Sequence, residues 1–174
     1  LDLIMKTQRE QWGRVGKNGQ HVMVVMDDCG FDKKVFNGKP LRNLFYNGRH
    51  NKCGLLLSVQ YALDMPATCR SNVDLVICCR ESVRANRERL YKNFFGQFES
   101  FEAFNKCMMA CTNNFECLCL DNSSTSNKIT DCVFWWKASM DLPHFRLGAL
   151  QWEMHEMFER RAGDDDADDE MKVC

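Results

Sequence analysis

At 174 residues, with 45% hydrophobic and 11% aromatic content, the chain is one domain in length and has enough apolar side chain for a single packed core. Its formal net charge of −1 excludes an overall basic field, so any nucleic-acid contact has to come from a local patch or an assembled ring. No apolar run approaches the roughly 18 residues of a membrane span and the first residues carry no signal-peptide pattern, which predicts a soluble protein without a membrane span.

Asp2 to Trp12 reads as a helix, with Leu3, Ile4, Thr7 and Gln11 at helical spacing, and Lys17-Asn18-Gly19 as a turn. Val22 to Met26 then runs without a polar interruption into Asp27, Asp28, Cys29 and Gly30. So short an apolar run predicts a strand buried on both faces. Paired acids at its end predict a Mg²⁺ site at the carboxyl edge of an α/β sheet, where such sheets place their ligands. The alternative is a carboxylate that caps the next helix. Asn37-Gly38 marks a break, and Pro40 suits the first position of a helix through Leu41, Leu44 and Phe45 that stops at Asn47-Gly48. Gly54 to Val59 reads as a second buried strand, ending in Gln60. Asp64-Met65-Pro66 opens a short turn or helix. Leu75 to Cys79 is a third buried run, ending in Arg80-Glu81. Three such strands with helical crossovers imply a parallel α/β sheet.

Ala85 to Phe95 predicts a helix with Leu90, Tyr91, Phe94 and Phe95 on one face, and Phe101 to Cys111 a second with Phe104 and Met108 in phase. Phe115 to Leu120 and Cys132 to Lys137 read as an antiparallel pair around the loop Asn122 to Asn127. Phe145 to Arg161 is a further helix. Residues 1–161 thus form one domain and 162–174 an acidic, disordered tail. Arg80, Arg84, Arg87, Arg89 and Lys92 read as a solvated helix face, with DNA phosphates or a neighbouring subunit as the alternative contact. Trp135 and Trp136, like Phe101 and Phe104, read as core.

The eleven cysteines would form a disulfide framework in a secreted chain. Here Cys53, Cys78, Cys79, Cys117, Cys119 and Cys132 sit in apolar runs as small hydrophobes, and the count is odd. Both features fit a reducing interior such as cytosol or nucleus. Cys107, Cys111, Cys117 and Cys119 can be drawn together as a metal site, but they lack the C-x₂-C pairs of structural zinc.

The run DDCGFDKKVFNGKPLRNLFYNGRHNKCGLLLSVQYALDMP, followed by SNVDLVICCRES, RLYKNFFG, MMACT and DCVFWWKA, closely resembles the DNA-packaging ATPases of large nucleocytoplasmic DNA viruses, of the poxvirus, mimivirus and phycodnavirus type. These are a branch of the FtsK/HerA translocases among P-loop NTPases. The resemblance covers most of residues 21–138. It implies an α/β fold, a RecA-like core with a mostly parallel sheet, here without its first strand and Walker A loop. It implies ATP and Mg²⁺ as cofactors, with Asp27 at the end of the Walker B strand as the magnesium-associated acid acting through water. Asp28 would be the water-activating acid, a position that is Glu in many relatives. Gln60 would be the sensor that touches the γ-phosphate and the attacking water, and Arg49 the arginine finger that reaches a γ-phosphate in the next subunit. On the residues alone, Gln60 is a solvated strand end and Arg49 a cation complementing a helix dipole. His50 is a packing or hydrogen-bonding residue.

The family holds ATP with G-x-x-x-x-G-K-[ST]. Gly13-Arg14-Val15-Gly16-Lys17-Asn18 lacks the first Gly at the right distance, has Asn18 in place of the hydroxyl, and directly precedes the acidic strand, so it is rejected as a phosphate loop. With Leu1 in place of Met, the expectation is the carboxyl-terminal part of a viral genome-packaging ATPase, with little hydrolysis of its own. The intact protein would work as a homo-oligomeric ring that pulls double-stranded DNA into a capsid. Its partners would be capsid or portal vertex proteins, and its place the host cytoplasm (viral factory), the nucleus or the virion. The alternatives are a cellular or plasmid FtsK/HerA-type translocase and a non-catalytic interaction module of the same fold.

Overall fold

β1 (Val22–Met26) and β2 (Cys53–Leu57) pair in parallel, with Val24 opposite Leu55 and Met26 opposite Leu57. The structure is a computed structural model that describes residues 1–16, 19–29, 33–61, 63–126 and 128–143. The helix expected from Phe145 to Arg161 and the acidic tail lie outside the described residues.

The crossover from β1 to β2 contains α2 (Lys33–Asn37), α3 (Lys39–Asn47) and a 3-10 turn (Arg49–Asn51). Pro40 lies in the first turn of α3, where its missing N–H leaves no helical bond unmade. Gly48 closes the helix because nothing larger fits: a Cβ there would lie 2.5 Å from the Leu44 carbonyl oxygen and 2.8 Å from that of Cys53. The helix end and the strand start are thereby held together.

α1 (Asp2–Val15) packs Met5 against Leu44 and Cys53, with Val22, Val24 and Leu55 around them. Its buried face is Met5 and Gln8, whereas Leu3 and Ile4, expected to pack, are exposed. Polar pairing sets the helix's rotation: the Gln8 amide donates to the Gln20 carbonyl, and Arg9 Nε donates to Asn51 Oδ1 at 3.2 Å.

A second sheet contains β3 (Leu75–Cys78), β4 (Glu116–Asp121) and β5 (Val133–Lys137), antiparallel throughout. This corrects the expectation that the third buried run extends the parallel sheet. Two helices follow β3, α5 (Arg84–Asn93) and α6 (Phe101–Ala110). One helix would return the chain to make a parallel strand, but a helical hairpin brings it back to the end it left, and β4 then runs the opposite way. Ser100 caps α6, its Oγ accepting the Ala103 N–H at 3.1 Å.

The main core lies between these helices and the antiparallel sheet: Cys78, Phe95, Phe104, Met108, Leu118, Leu120 and Cys132. Phe104 stacks on Phe95 with centroids 5.0 Å apart. Two short helices, α4 (Ala67–Arg70) and α7 (Ile129–Cys132), complete the unit, and the second was not foreseen. Arg70 ties α4 to α5 through Asn93 Oδ1 at 3.0 Å.

Each sheet leaves one face uncovered. Met23 and Val25 on β1 and Leu56 on β2 are exposed, as are Leu75, Ile77, Phe134 and Trp136 on the second sheet. The expected burial of β1 on both faces is therefore corrected, because helices cover one side only. Trp135 and Trp136 are 56% and 53% exposed and do not belong to the core, since β5 is an edge strand.

Residues 1–138 form one compact unit. Of the second, Ser139–Pro143 are described, a turn in which the Asp141 N–H donates to Ser139 Oγ at 3.2 Å. Among the described residues no helix is long and apolar enough to cross a membrane.

Candidate functional site

Parallel pairing carries the carboxyl ends of β1 and β2 to one edge, so the residues just after each strand become neighbours. The Ser58 N–H donates to the Met26 carbonyl at 3.0 Å and continues the ladder one step. From there Ser58 Oγ donates to Asp27 Oδ1 and accepts the backbone N–H of Asp28 at 3.1 Å. Gln60, two residues further along, donates from Nε2 to Asp28 Oδ1 at 2.8 Å. Asp28 has φ 47°, the left-handed region that Asp tolerates better than most side chains. Ser58 and Gln60 hold it there from β2. All four residues are exposed, so the cluster opens to solvent at the sheet edge.

Of the residues predicted for the site, Asp27, Asp28 and Gln60 therefore come together. Ser58 joins them and was passed over, although one hydroxyl in the run LLLSVQ, in step with Gln60, was a readable signal. Arg49 stands elsewhere. It lies in the turn before β2, where its Nε donates to Asp74 Oδ2 at 3.3 Å and its Nη2 pairs with Asp74 Oδ1. The five residues of β2 put roughly 16 Å between it and Gln60 of the same chain, at about 3.3 Å per residue.

Of the segment rejected as a phosphate loop, Gly13 to Gly16 close α1. Gly13 to Val15 are helical, and the Gly16 N–H is bonded to the Trp12 carbonyl, so these amides serve a helix end and are not a free cradle. The basic cluster on α5 also divides, which corrects its reading as a solvated face. Arg87 is buried, its Nε on Asn105 Oδ1 at 2.6 Å and its Nη1 on the carbonyls of Glu81 and Ser82 at 2.9 and 2.7 Å. Arg84 pairs with Glu88 and lies over the Phe101 ring.

Among the described residues, Cys53, Cys69, Cys78, Cys117, Cys119 and Cys132 are buried and serve as packing groups. Cys107 lies on α6, and Cys117 and Cys119 sit on β4 with their Sγ atoms 3.8 Å apart. Burial, reinforced by Cys79 and Glu81, pushes the Cys78 thiol up to about 12. Cys79 departs from the expectation and is exposed.

The family model described as "Poxvirus A32 protein" matches residues 3–133. The chain belongs to the poxvirus A32 protein family. All the site residues above fall within that match. This A32-family chain is 41% identical over 133 residues to protein 088R of Invertebrate iridescent virus 3, a match that covers 75% of the chain and 51% of that protein. It is 36% identical over 132 residues to protein 075L of Invertebrate iridescent virus 6, again 75% of the chain and 51% of that protein. The chain thus spans about half the length of the curated relatives it matches. Its fold is similar to that of the genome packaging NTPase B204 from Sulfolobus turreted icosahedral virus 2, solved in complex with AMPPCP. That comparison has a TM-score of 0.55 at 16% identity, over 80% of this chain and 61% of that one.

Proposed function

We propose that this A32-family chain is part of a viral genome-packaging ATPase and supplies the acidic and sensor residues of its ATP site. The observation that carries the reading is the meeting of Asp27, Asp28 and Gln60 at the carboxyl edge of a parallel sheet. The viral relatives and the fold neighbour favour packaging over a cellular translocase. The partners in this reading are double-stranded DNA, further copies of the protein in a ring, and a capsid vertex.

The donors present fit Mg²⁺: carboxylate and hydroxyl oxygens are hard ligands, and Mg²⁺ keeps most of its water. Asp27, with Ser58 beside it, would hold the ion through that water. When bound, Mg²⁺ neutralises phosphate charge. Asp28 accepts Gln60 on Oδ1 and keeps Oδ2 for the proton of an attacking water. Gln60 keeps its carbonyl and one amide hydrogen for the γ-phosphate and the same water. Loss of the phosphate would then be felt along β2.

The phosphate loop belongs, in this reading, to a further strand between β2 and β3. Those two strands are in different sheets, yet Arg49 and Asp74 bridge their amino ends, and Gln60 and Glu81 flank one cleft past their carboxyl ends. An Arg–Asp bridge is long enough to span two strand spacings of about 4.8 Å. The uncovered apolar faces of both sheets suit the helix that would follow such a strand.

The test uses the full-length protein. Asp28→Asn keeps the shape and removes the base, so ATP turnover falls about 100-fold or more while binding of a fluorescent ATP analogue persists. Unchanged turnover in that variant refutes the assignment, and so does the absence of ATP hydrolysis by the wild type.

A further inference from the structure

Next to Gln60 lies a cleft of about 60 Å³. Gln60, Tyr61 and Leu63 form the wall that follows β2, and Asn86, Arg89 and Leu90 the wall supplied by α5. A cleft of that volume, open to solvent on one side, takes a group the size of one tetrahedral oxyanion.

Charge decides the rest. Glu81 is the carboxylate of the lining, and it is turned to the Val83 N–H at 2.8 Å and to Asn86 Nδ2 at 3.0 Å. The other arginines of the cluster are engaged: Arg84 with Glu88, Arg80 with Asn113, and Arg87 inside the fold. The Arg89 guanidinium has no hydrogen-bond or acidic partner among the described residues. The cleft thus carries one guanidinium free to turn to a ligand and one carboxylate already held by neutral donors, and the planar fork of Arg suits phosphate oxygens. Gln60 connects this anion site to the acids, since its amide donates to Asp28 from the cleft's wall.

We propose that this cleft is a phosphate subsite with Arg89 as its cation, acting in the same subunit as Asp28 and Gln60. The assignment rests on the ATPase reading and separates two arginine roles: Arg89 at the carboxyl ends of the strands and Arg49 at the amino ends. The phosphate would be either that of bound nucleotide or the inorganic phosphate leaving after hydrolysis.

In the full-length protein, Arg89→Ala is expected to raise KM for ATP about tenfold or more if the group is the nucleotide's, with Arg89→Lys in between. If the cleft instead holds the product, inhibition by inorganic phosphate weakens by a similar factor and KM stays. Either result supports the subsite, whereas KM and phosphate inhibition both within twofold of wild type would overturn it. Arg89 is exposed and unpaired, so thermal melting should be unchanged in both variants. Should the wild type hydrolyse no ATP, that failure concerns the ATPase reading. Equilibrium dialysis with radiolabelled inorganic phosphate then decides the cleft: binding lost in Arg89→Ala upholds it, and no binding by the wild type overturns it.

Discussion

Ser58 holds both acids of the site through a single oxygen, giving its proton to Asp27 and taking the amide proton of Asp28. Hydrogen bonds to charged groups contribute about 1.5–3 kcal/mol, and exposure puts this one at the low end. Ser58→Ala is therefore expected to lower kcat for ATP about tenfold in the full-length protein, with little change in the urea midpoint; steady-state kinetics beside an unfolding curve would check it. The contrast with Asp28 shows what a sequence carries at this scale. Acids at a strand end and an amide at the next strand end are readable, because each role follows from its own strand. Ser58 acquires its role from the register between two strands, which neither segment states alone.

At the scale of elements, helix and strand positions were legible from apolar spacing, and Pro40 and Gly48 bounded α3 where they should. The partner of β3 was not, because an apolar run says that a strand is buried and not beside which neighbour. That was decided by the number of helices between β3 and β4. The aromatic run of β5 likewise reads as core until its place at an edge is known. Cys78 makes the β3–β4 packing testable by pH. Its thiol rises from 9.0 to about 12 in the fold, so above pH 9 the folded state retains a proton that the unfolded chain has released. Its contribution is complete below pH 9 and is lost as the pH climbs toward 12. The urea midpoint of the wild type should thus fall more between pH 8 and pH 11 than that of Cys78→Ala.

For the whole molecule, a parallel sheet is ordinarily covered on both faces, and here one face of the β1–β2 sheet is open. That face and the relatives' extra length fit the larger working unit proposed above. On the proposed reading Arg49 acts in that larger unit. Its pair with Asp74 is exposed on both sides, and such pairs contribute about 0–1 kcal/mol, so a phosphate offered by a neighbour can take the guanidinium over. Subunits of Arg49→Ala and of Asp28→Asn, each inactive alone, should recover ATP turnover when mixed, since some junctions then join an intact Arg49 to an intact Asp28. Mixtures no more active than the separate variants would place Arg49 outside the reaction. The spacing on β2 has a mechanical side. On the proposed reading, one short strand has the phosphate-sensing Gln60 just past one end and Arg49, the cation offered to an adjoining subunit, just before the other, and Gly48 between Arg49 and the preceding helix leaves no slack for a side chain. In the proposed ring such a strand would act as a push rod, carrying a displacement of Gln60 on phosphate release toward Arg49, so that firing passes from one subunit to the next.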